Sequence, residues 1–341
     1  MKAAILTKPG KIILEERRNR PPAHGEVEIA VRFVAICGSD QARFAGRLGR
    51  GRPVVFGHEF SGRVSRVGAG VSGFAASQPV TAAPLLNCGT CRFCREGHEY
   101  LCPKRQIFGS QVDGALQERV CIRADRVFPL PNCVSLRDGA LTEPLAVAVH
   151  AVRQAGQIDG RYVAVLGAGA IGLFIAQVAR VMGASEILTL DIDSRRLGLA
   201  EKMGFDVVNS QVSDPVESVL TRTGGRGVDV LFEATGSPAV ARYFLPLLAA
   251  LGVIVVVGRV EQPVPLDLDA MLLKEARLVT SRYFSLADFR SGVDLLAAGS
   301  VSVDPLIQKV MPFDLLGENQ GRCVMDAARQ VVRLLIEFAG R

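Results

Sequence analysis

The first 150 residues of the chain contain short stretches in which apolar and polar positions alternate, broken by glycine and proline. Stretches of this kind are typical of β-strands. They occur in AAILT, VEIAVRFVAI, FSGRVSRVG and ALQERVCI. Many short strands joined by turns that are rich in glycine and proline predict an antiparallel barrel whose loops carry the chemistry.

From Tyr162 onward the pattern differs, because apolar strand-like segments alternate with longer helical ones. The order is YVAVLG, AIGLFIAQVARVMG, EILTLD and SRRLGLAEKMG, followed by VDVLFEATG, VIVVVG and ARLVTSRYF. Such alternation predicts a parallel sheet with helices on both faces. The helix candidate LADFRSGVDLLAAG and the terminal strand VVRLLIEF then indicate a return to the first domain. We therefore predict one domain at 1–150 with 287–341 and another at 151–286.

The composition excludes several classes of protein. Hydrophobic residues make up 49% and charged residues 22%, as in soluble globular proteins. No apolar run reaches the roughly 20 residues that span a bilayer. The N-terminus lacks the apolar core of a signal peptide, so we expect a cytoplasmic protein without a membrane partner.

The net charge of +6 is dispersed along the chain. Its local cluster is interleaved with glycine and lacks the aromatic spacing of a nucleic-acid platform, so we expect no nucleic-acid partner. This cluster is either a solvated basic loop or a set of cations of which some face an anionic substrate. Its members are Arg43, Arg47, Arg50 and Arg52.

Four of the eight cysteines lie in one short window with the spacing C-x2-C-x2-C-x7-C. Without a secretion signal, metal binding explains them better than disulfides do. Four thiolates can close a tetrahedron around Zn²⁺, and a closed shell makes the site structural. An iron–sulfur cluster is the rival, but the long last gap and the lack of proline after the third cysteine argue against it. The predicted ligands are Cys88, Cys91, Cys94 and Cys102.

Three further cysteines belong to no motif, namely Cys121, Cys133 and Cys323. Cysteine is among the most buried residue types and behaves as a small apolar side chain. We therefore expect these three to be buried free thiols.

A glycine-rich turn follows the predicted strand YVAVL and opens a helix. The first glycine makes the tight turn, the second lets the backbone approach a pyrophosphate, and the third permits close packing of helix on strand. The N-terminus of the helix offers free N–H groups to the phosphates. The turn is Gly167-Ala168-Gly169-Ala170-Ile171-Gly172.

Asp191 closes the strand EILTLD, 24 positions beyond Gly167. A carboxylate there accepts both ribose hydroxyls of NAD and repels the extra phosphate of NADP. We predict NAD, although Arg195 and Arg196 are placed where an arginine tolerates that phosphate, and Arg196 is also a candidate to stack on the adenine. After the strand VIVVV, two more residues are predicted to bind the cofactor, Val257 and Gly258.

A second candidate metal site combines Cys37-Gly38-Ser39-Asp40 with Gly57-His58-Glu59. Taken alone, His58 fits a buried histidine that bonds a backbone carbonyl, and Cys37 fits a core thiol. The dinucleotide motif and the cysteine lobe in the same chain favour a metal site instead.

The order C-G-S-D, G-H-E, four cysteines, E-P and G-A-G-A-I-G spans essentially the whole chain. In this order the chain resembles the zinc-containing medium-chain dehydrogenases. The resemblance implies an α/β protein with a GroES-like β-barrel catalytic domain and a Rossmann coenzyme domain, in which the parallel sheet is doubly wound. It also implies a homodimer or homotetramer.

By this resemblance, Cys37 and His58 are ligands of a catalytic zinc, and Glu59 is a ligand or alternates with one. Glu143, in EPLAV, matches the acidic position of the polyol and threonine dehydrogenase branch, where it coordinates the metal or holds its water. Asp40 accepts the other ring N–H of His58, and Ser39 begins proton removal from the alcohol. The zinc lowers the pKa of the bound alcohol, whose hydride passes to the nicotinamide.

The resemblance also narrows the range of alcohols. Arg282-Tyr283 in SRYF is similar to the Arg-Tyr pair of sorbitol dehydrogenases, whose arginine lies near the active-site carboxylate; a solvated arginine beside a core tyrosine is the alternative. Ala42 stands where many sorbitol and threonine enzymes have histidine, which argues against L-threonine. PLLNCGTC, IFGSQVDGA and CGSDQARFAG resemble galactitol-phosphate dehydrogenases, so Arg43 is a candidate phosphate contact.

We therefore expect an enzyme that oxidises a secondary hydroxyl of a polyol or polyol phosphate to a ketone with NAD. An L-threonine 3-dehydrogenase or a butanediol-type dehydrogenase is the alternative substrate assignment. A zinc-free quinone reductase and a non-catalytic nucleotide-binding protein of the same fold are alternatives of other kinds. The intact metal-ligand positions argue against both.

Overall fold

The computed structural model describes residues 1–48, 52–317 and 320–339, so Arg50 lies outside the described residues. The chain divides into two compact units, Met1–Glu143 with Ser285–Arg341, and Pro144–Phe284. The sequence pattern places these divisions at residues 150 and 286. The first boundary in the structure falls inside a helix, Thr142–Gln154. A boundary inside a helix leaves no change of pattern in the sequence.

The strands are numbered in chain order over the described residues. They are β1 (Lys2–Lys8), β2 (Lys11–Glu16), β3 (Glu26–Ala35), β4 (Val54–Val55), β5 (Glu59–Val67), β6 (Pro79–Ala82), β7 (Leu85–Leu86), β8 (Gln106–Ile107), β9 (Arg119–Arg123), β10 (Val127–Pro129), β11 (Tyr162–Leu166), β12 (Glu186–Asp191), β13 (Asp206–Asn209), β14 (Val228–Glu233), β15 (Leu248–Val256), β16 (Arg277–Thr280), β17 (Ile307–Pro312) and β18 (Arg333–Glu337).

The helices are numbered in the same way. They are α1 (Gly38–Phe44), α2 (Arg92–Arg95), α3 (Leu136–Gly139), α4 (Thr142–Gln154), α5 (Ala170–Val181), α6 (Ser194–Lys202), α7 (Pro215–Arg222), α8 (Phe244–Leu247), α9 (Leu268–Leu273), α10 (Leu286–Ala297) and α11 (Gly321–Arg329). Short 3-10 turns occur at Glu99–Leu101, Ala124–Arg126, Pro238–Tyr243, Asp304–Leu306 and Phe313–Leu316. Among the described residues, none of these helices combines the length and apolarity needed to cross a membrane.

The first unit is a GroES-like domain built on strands. Its largest sheet has the order β10-β6-β5-β3-β18-β17, with β9 also paired to β3, and a second sheet has the order β2-β1-β4. The antiparallel barrel is predicted from the first 150 residues; the strands of the C-terminal segment, β17 and β18, pair in parallel. The reason is the helix α11 between them, because a parallel pair needs a crossover connection.

The core of the first unit comes from the alternation along its strands. Ile29 and Val31 of β3 point to the same side as buried side chains such as Phe56, Phe60 and Leu116, and together they form one apolar cluster. The same cluster holds in place the ends of β3 and β5, where the metal-site motifs of the sequence begin.

The second unit contains a six-stranded Rossmann sheet of order β13-β12-β11-β14-β15-β16, and all of its pairs are parallel. Val163, Ala164 and Val165 of β11 are fully buried, as expected where helices cover both faces. The strand order reverses between β11 and β14. Ligands of such sheets bind at the carboxyl ends of the strands beside this reversal.

The unassigned cysteines are free but less buried than predicted. Cys133 and Cys323 are exposed, so the expectation of buried thiols is wrong for both, and Cys121 is half-buried. Cys323 lies on α11, whose buried positions include Val324, Met325 and Ala328, and therefore projects from the outer face of an amphipathic helix.

Candidate metal and dinucleotide sites

Cys37 connects β3 to the first turn of α1. Its backbone N–H donates to Oδ2 of Asp40 at 3.0 Å, and the N–H of Asp40 returns to the Cys37 carbonyl at 3.1 Å. This reciprocal bonding satisfies donors that the start of a helix leaves free. It also holds the sulfur of Cys37 and the carboxylate of Asp40 in one turn.

His58 follows Gly57, which has a φ of +89°. A Cβ at Gly57 would lie 2.9 Å from Cγ1 of Val34, so both the backbone conformation and the space require glycine. The chain then enters β5 at Glu59. This turn brings His58 and Glu59 to the end of β3 where Cys37 lies.

The ligand atoms of Cys37, His58 and Glu59 all lie within 4.8 Å of one another. Nδ1 of His58 is 3.6 Å from Oδ1 of Asp40, which leaves Nε2 as the nitrogen for a metal. A carboxylate behind a metal-binding histidine fixes the ring orientation and the tautomer. The structure thus brings together three of the predicted catalytic zinc ligands and the predicted partner of the histidine.

The surroundings of Glu59 test whether a cation fits there. Glu59 is fully buried; its Oε1 accepts from Nη2 of Arg333 at 3.1 Å, while its Oε2 has no hydrogen-bond partner among the described residues. A buried carboxylate oxygen without a partner is costly. A thiolate, an imidazole and a carboxylate are all zinc ligands, and a catalytic zinc site uses three protein ligands and keeps a fourth position open. The residues present therefore fit a catalytic zinc ion.

Glu143 lies in the first turn of α4 and stands outside this set of mutually close ligand atoms. Burial, together with the nearby carboxyl groups of Glu59 and Asp40, raises its pKa to about 7, against the opposing effect of His58 and Arg333. Burial lowers the pKa of His58, but Asp40 and Cys37 outweigh it and raise that pKa well above its ordinary value. Glu143 is thus part of the charge network of the site, and its contact with zinc stays a prediction.

Arg333 is a site residue that the sequence did not reveal. It is 6% exposed and lies on β18, 274 positions from Glu59. Burial lowers its pKa, but the charges of Glu59, Cys37 and Glu143 raise it above its ordinary value. The only sequence signal is one arginine inside the apolar run VVRLLIEF.

Ser39 and Ala42 lie on α1, where Ser39 is exposed and Ala42 is half-buried. Arg282 belongs to the second unit, is exposed, and stacks on the ring of Tyr283 at 4.9 Å. The predicted contact of Arg282 with the substrate therefore stays a prediction.

The four-cysteine lobe has the dimensions of a zinc site. The Sγ atoms of Cys91 and Cys94 are 3.4 Å apart, those of Cys88 and Cys102 are 3.6 Å apart, and those of Cys88 and Cys94 are 3.9 Å apart. A tetrahedron with Zn–S bonds of about 2.3 Å has edges of about 3.8 Å. The backbone and hydroxyl of Thr90 lower the pKa of Cys88 to about 5, which favours a thiolate. This is the predicted structural zinc site.

Two further residues support the lobe and were not predicted. Nδ2 of Asn87 donates to Sγ of Cys94 at 3.3 Å, and Oδ1 of Asn87 accepts from Nη2 of Arg126 at 2.6 Å. Arg126 is 4% exposed, and its Nε and Nη1 have no hydrogen-bond partner among the described residues. A buried cation therefore lies one side chain away from the sulfur cluster. The sequence does not single out Asn87 or Arg126, because neither residue is part of the cysteine motif.

The glycine turn has the predicted geometry for a dinucleotide. Gly167 has a φ of +106°, and a Cβ at Gly172 would lie 1.8 Å from the carbonyl oxygen of Gly167. Gly169 caps α5, and Ala170 and Ile171 form its first turn, with their N–H groups free of helical partners. The turn lies at the carboxyl end of β11, beside the reversal of strand order.

Asp191 ends β12 next to this turn. Its Oδ2 accepts from the N–H of Ala168 at 2.7 Å, and its Oδ1 accepts from the N–H groups of Ile192 and Asp193 at 2.7 and 3.0 Å. Nη1 of Arg196 lies 4.0 Å from Oδ2 of Asp191. The carboxylate is therefore held at the predicted ribose position, and one arginine lies beside it.

Arg195 is paired elsewhere, because its Nη2 donates to Oδ2 of Asp193 at 2.9 Å. Val257 and Gly258 follow β15, and both donate their N–H to the carbonyl of Glu233, at 2.8 and 2.9 Å. The predicted residues of the dinucleotide site therefore lie at or just beyond the carboxyl ends of β11, β12 and β15, in one sheet.

Known proteins resemble this chain over most of its length. Residues 23–132 match the alcohol dehydrogenase GroES-like domain, and residues 170–298 match the zinc-binding dehydrogenase family. The chain is 34% identical to 2-dehydro-3-deoxy-L-galactonate 5-dehydrogenase from Pseudoalteromonas atlantica, over 93% of this chain and 92% of that protein. It is 34% identical to D-arabitol-phosphate dehydrogenase from Enterococcus avium, over 84% of each chain.

Solved structures give the same result. The E. coli galactitol-1-phosphate dehydrogenase matches with a TM-score of 0.90 and 28% identity, over 99% of this chain and 100% of that one. A zinc-binding dehydrogenase from Sinorhizobium meliloti bound to NADP matches with a TM-score of 0.91 and 29% identity, over 98% of each chain. An E. coli alcohol dehydrogenase with NADH matches with a TM-score of 0.91 and 25% identity, over 99% of each chain. The chain therefore belongs to the zinc-binding medium-chain dehydrogenases, as a zinc-dependent alcohol or polyol dehydrogenase that acts on CH–OH groups with NAD(P).

Proposed function

We propose that this enzyme oxidises a secondary hydroxyl group of a polyol or polyol phosphate to a ketone and reduces NAD. The observation that carries the proposal is the Cys37–His58–Glu59 cluster, with one oxygen of Glu59 unpartnered among the described residues and the acid Glu143 in the same charge network. Similarity to dehydrogenases that are named for D-arabitol phosphate and galactitol 1-phosphate supports a sugar-alcohol substrate.

In this mechanism, Cys37, His58 and Glu59 hold the zinc, which supplies Lewis-acid polarisation of the alcohol oxygen when bound. Asp40 keeps the ring of His58 in place from behind. Ser39 is exposed two positions after Cys37 and takes the hydroxyl proton towards solvent. Ala42 has no titratable group, so the proton leaves from Ser39 without a histidine relay.

The basic cluster around Arg43 and Arg52 favours a substrate that carries an anionic group. Arg43 lies on the helix that Cys37 caps, and its Nη2 donates to Oγ of Ser110. Nη2 of Arg52 donates to the carbonyl of Gln111 at 2.7 Å. Two cations of the predicted basic cluster thus meet one short loop. Arginine and a hydroxyl are suitable partners for a phosphate.

This loop also packs against the turn at Gly57, directly before the histidine of the metal site. A Cβ at Gly109 would lie 2.7 Å from the carbonyl oxygen of Gly57, and a Cβ at Gly114 would lie 2.2 Å from it. Because Gly57 directly precedes His58, the loop with Ser110 is placed by the same turn as the metal ligand. An anion held by Arg43 and Ser110 therefore has a fixed position relative to His58.

The experiment compares galactitol and D-arabitol with their phosphates as substrates of the wild type and of three variants, Arg43→Ala, Ser110→Ala and Arg47→Ala. We expect kcat/KM to be higher for the phosphates by about 10-fold or more, and Arg43→Ala to remove most of that difference. Arg47 is exposed on the same segment and serves as the matched control. Equal kcat/KM for free and phosphorylated polyols, unchanged by Arg43→Ala, would contradict phosphate recognition.

We further propose that the chain assembles into a homodimer or homotetramer. Leu268, Leu272 and Leu273 of α9 are 71–79% exposed, and they follow β15 and precede the edge strand β16. An exposed apolar cluster next to a sheet edge is a typical interface between copies of a chain. Light scattering should give a multiple of the 36.5 kDa chain mass, and Leu272→Glu with Leu273→Glu should lower it. A monomeric wild type would contradict the assembly.

We place the enzyme in the cytoplasm. All eight cysteines are free of disulfide bonds in the structure. Free thiols and thiolate zinc ligands are typical of a reducing compartment.

A further inference from the structure

Glu233, at the end of β14, is a fully buried acid that no cation pairs among the described residues. Its Oε1 accepts three hydrogen bonds, from the N–H of Thr235 at 2.7 Å, the hydroxyl of Thr235 at 2.6 Å and the N–H of Gly236 at 2.7 Å. Its Oε2 has no hydrogen-bond partner in the part of the chain that the structure describes. A buried carboxylate is costly, so these three bonds serve to hold the turn at 235–236.

The same residue holds a second turn through its backbone. The N–H groups of Val257 and Gly258 donate to the Glu233 carbonyl at 2.8 and 2.9 Å. A Cβ at Gly258 would lie 2.5 Å from Oε2 of Glu233 and 2.2 Å from the nitrogen of Gly236. The turns that follow β14 and β15 therefore pack directly on each other, with the Glu233 carboxylate at their junction.

The first of these turns also touches the glycine turn after β11. A Cβ at Gly167 would lie 3.0 Å from Cγ2 of Thr235 and 3.2 Å from the carbonyl carbon of Ala234. The strands β11, β14 and β15 are neighbours in the sheet, and their carboxyl ends line the crevice where a dinucleotide binds. Glu233 thus contacts the turns after β14 and β15, and Thr235 extends the contact to the glycine turn after β11.

We infer that Glu233 is a positioning residue for the dinucleotide cofactor. Its side chain fixes the turn at 235–236, and its backbone fixes the turn at 257–258, so that both keep their place beside the glycine turn. Without the carboxylate, Thr235 and Gly236 lose the acceptor of three hydrogen bonds, and the crevice is no longer preformed. Ligand affinity then falls because ordering the turns becomes part of the cost of binding.

The test measures binding of NADH to the zinc-loaded wild type and to three variants, Glu233→Ala, Glu233→Gln and Thr189→Val. NADH fluorescence is a suitable signal, since the chain contains no tryptophan. Thr189 is the matched control: it is fully buried in β12 of the same sheet, and its hydroxyl also has no partner among the described residues.

We expect Glu233→Ala to raise the Kd for NADH by about 10-fold or more, because misplaced binding groups are costly. Glu233→Gln keeps an oxygen acceptor for the same donors and should stay within about 3-fold of the wild type. Thr189→Val should leave the Kd unchanged. In steady-state assays, Glu233→Ala should raise the KM for NAD while the KM for the alcohol stays constant, which a general loss of stability would not produce.

A Kd for Glu233→Ala within about 2-fold of the wild type would overturn the inference. If Glu233→Ala does not fold, Thr235→Val takes its place, because it removes one donor and should raise the Kd by about 3-fold; an unchanged Kd in that variant would overturn the inference equally. The inference rests on the dinucleotide site of the proposed enzyme. Because NADH binding needs no alcohol, a wrong substrate proposal leaves this readout intact.

Discussion

Arg333 and Glu59 form a buried ion pair, in which Nη2 of the arginine donates to Oε1 of the glutamate at 3.1 Å. The pair connects the C-terminal strand β18 to the metal cluster. It occupies one carboxylate oxygen of Glu59 and leaves the other for a metal. The return of the chain to the first unit therefore completes the catalytic site as well as the sheet.

We expect Arg333→Met to destabilise the first unit by about 3–5 kcal/mol, because it leaves Glu59 as an uncompensated buried charge. Zinc content should fall as well. Denaturant unfolding and metal analysis measure the two effects. Arg32→Met is the matched control, since Arg32 pairs with Glu337 across β3 and β18 while both side chains are partly exposed. Such a pair contributes about 1 kcal/mol or less, so equal losses in the two variants would contradict the assigned role.

The acid stability of the first unit depends on Glu28. Burial raises the pKa of this fully buried acid, but hydrogen bonds from Arg66, Ser65, Asn19 and Arg119 lower it to about 2. Because the folded-state pKa lies below the unfolded one, the stabilisation is present above pH of about 4.5 and is lost as the pH falls towards about 2.

Glu28→Gln should therefore destabilise the protein at pH 7 by about 1–3 kcal/mol. The difference between wild type and variant should shrink as the pH falls through that window. Denaturant unfolding at a series of pH values measures it. A difference that stays constant from pH of about 6 down to about 3 would show that the charge of Glu28 contributes nothing.

The contacts of Asn87 predict how firmly the structural zinc is held. Asn87→Ala removes the donor to the sulfur of Cys94 and the acceptor of Arg126, and groups of this kind change metal affinity by about 10–100-fold. We expect zinc to pass to a chromogenic chelator at least about 10-fold faster from Asn87→Ala than from the wild type. Arg92→Ala is the control, because Arg92 lies in the same lobe with 79% of its side chain exposed.

The zinc measurement is repeated in a Cys37→Ser background, where the catalytic ligand set is broken and the released zinc comes from the lobe. Equal transfer rates for Asn87→Ala and Arg92→Ala in that background would contradict the contribution of Asn87.

Asp191 should set the coenzyme preference. Asp191→Ala removes the carboxylate at the ribose position and leaves Arg195 and Arg196, so kcat/KM with NAD should fall by about 10-fold or more while the NADP-to-NAD ratio rises. Steady-state kinetics with both coenzymes measure the ratio. Asp206→Ala on the neighbouring strand is the control, because that side chain is exposed. An unchanged ratio in Asp191→Ala would assign the preference to other residues.

Local patterns predicted the parts of this protein whose physical causes are local. The glycine turn, Asp191 and the four cysteines each follow from a spacing within one loop or one strand–helix unit, because a phosphate or a metal imposes that spacing directly. The catalytic cluster was less evident, since Cys37 and His58 are single residues at the ends of different elements. There the resemblance to a family carried the assignment.

Residues whose role depends on tertiary packing were missed. Arg333 meets Glu59 only because β18 returns to pair with β3. Arg126 reaches the cysteine lobe through Asn87, and Glu233 is distinguished by the turns packed around it. The parallel β17–β18 pair also required knowledge of α11, because strand pattern alone does not give direction. Exposure of Cys133 and Cys323 likewise depends on which face of the fold they occupy.

The most direct test asks whether NADH formation depends on the metal ligand Cys37. It measures NADH formation by the zinc-loaded wild type and by Cys37→Ser. The substrate panel contains polyols, polyol phosphates, 2,3-butanediol and L-threonine. We predict about two zinc ions per chain in the wild type, NADH formation with at least one polyol or polyol phosphate, and a loss of about 100-fold or more in Cys37→Ser. A wild type that holds both zinc ions and forms no NADH with any member of the panel, or a Cys37→Ser variant as active as the wild type, would contradict a zinc-dependent polyol dehydrogenase.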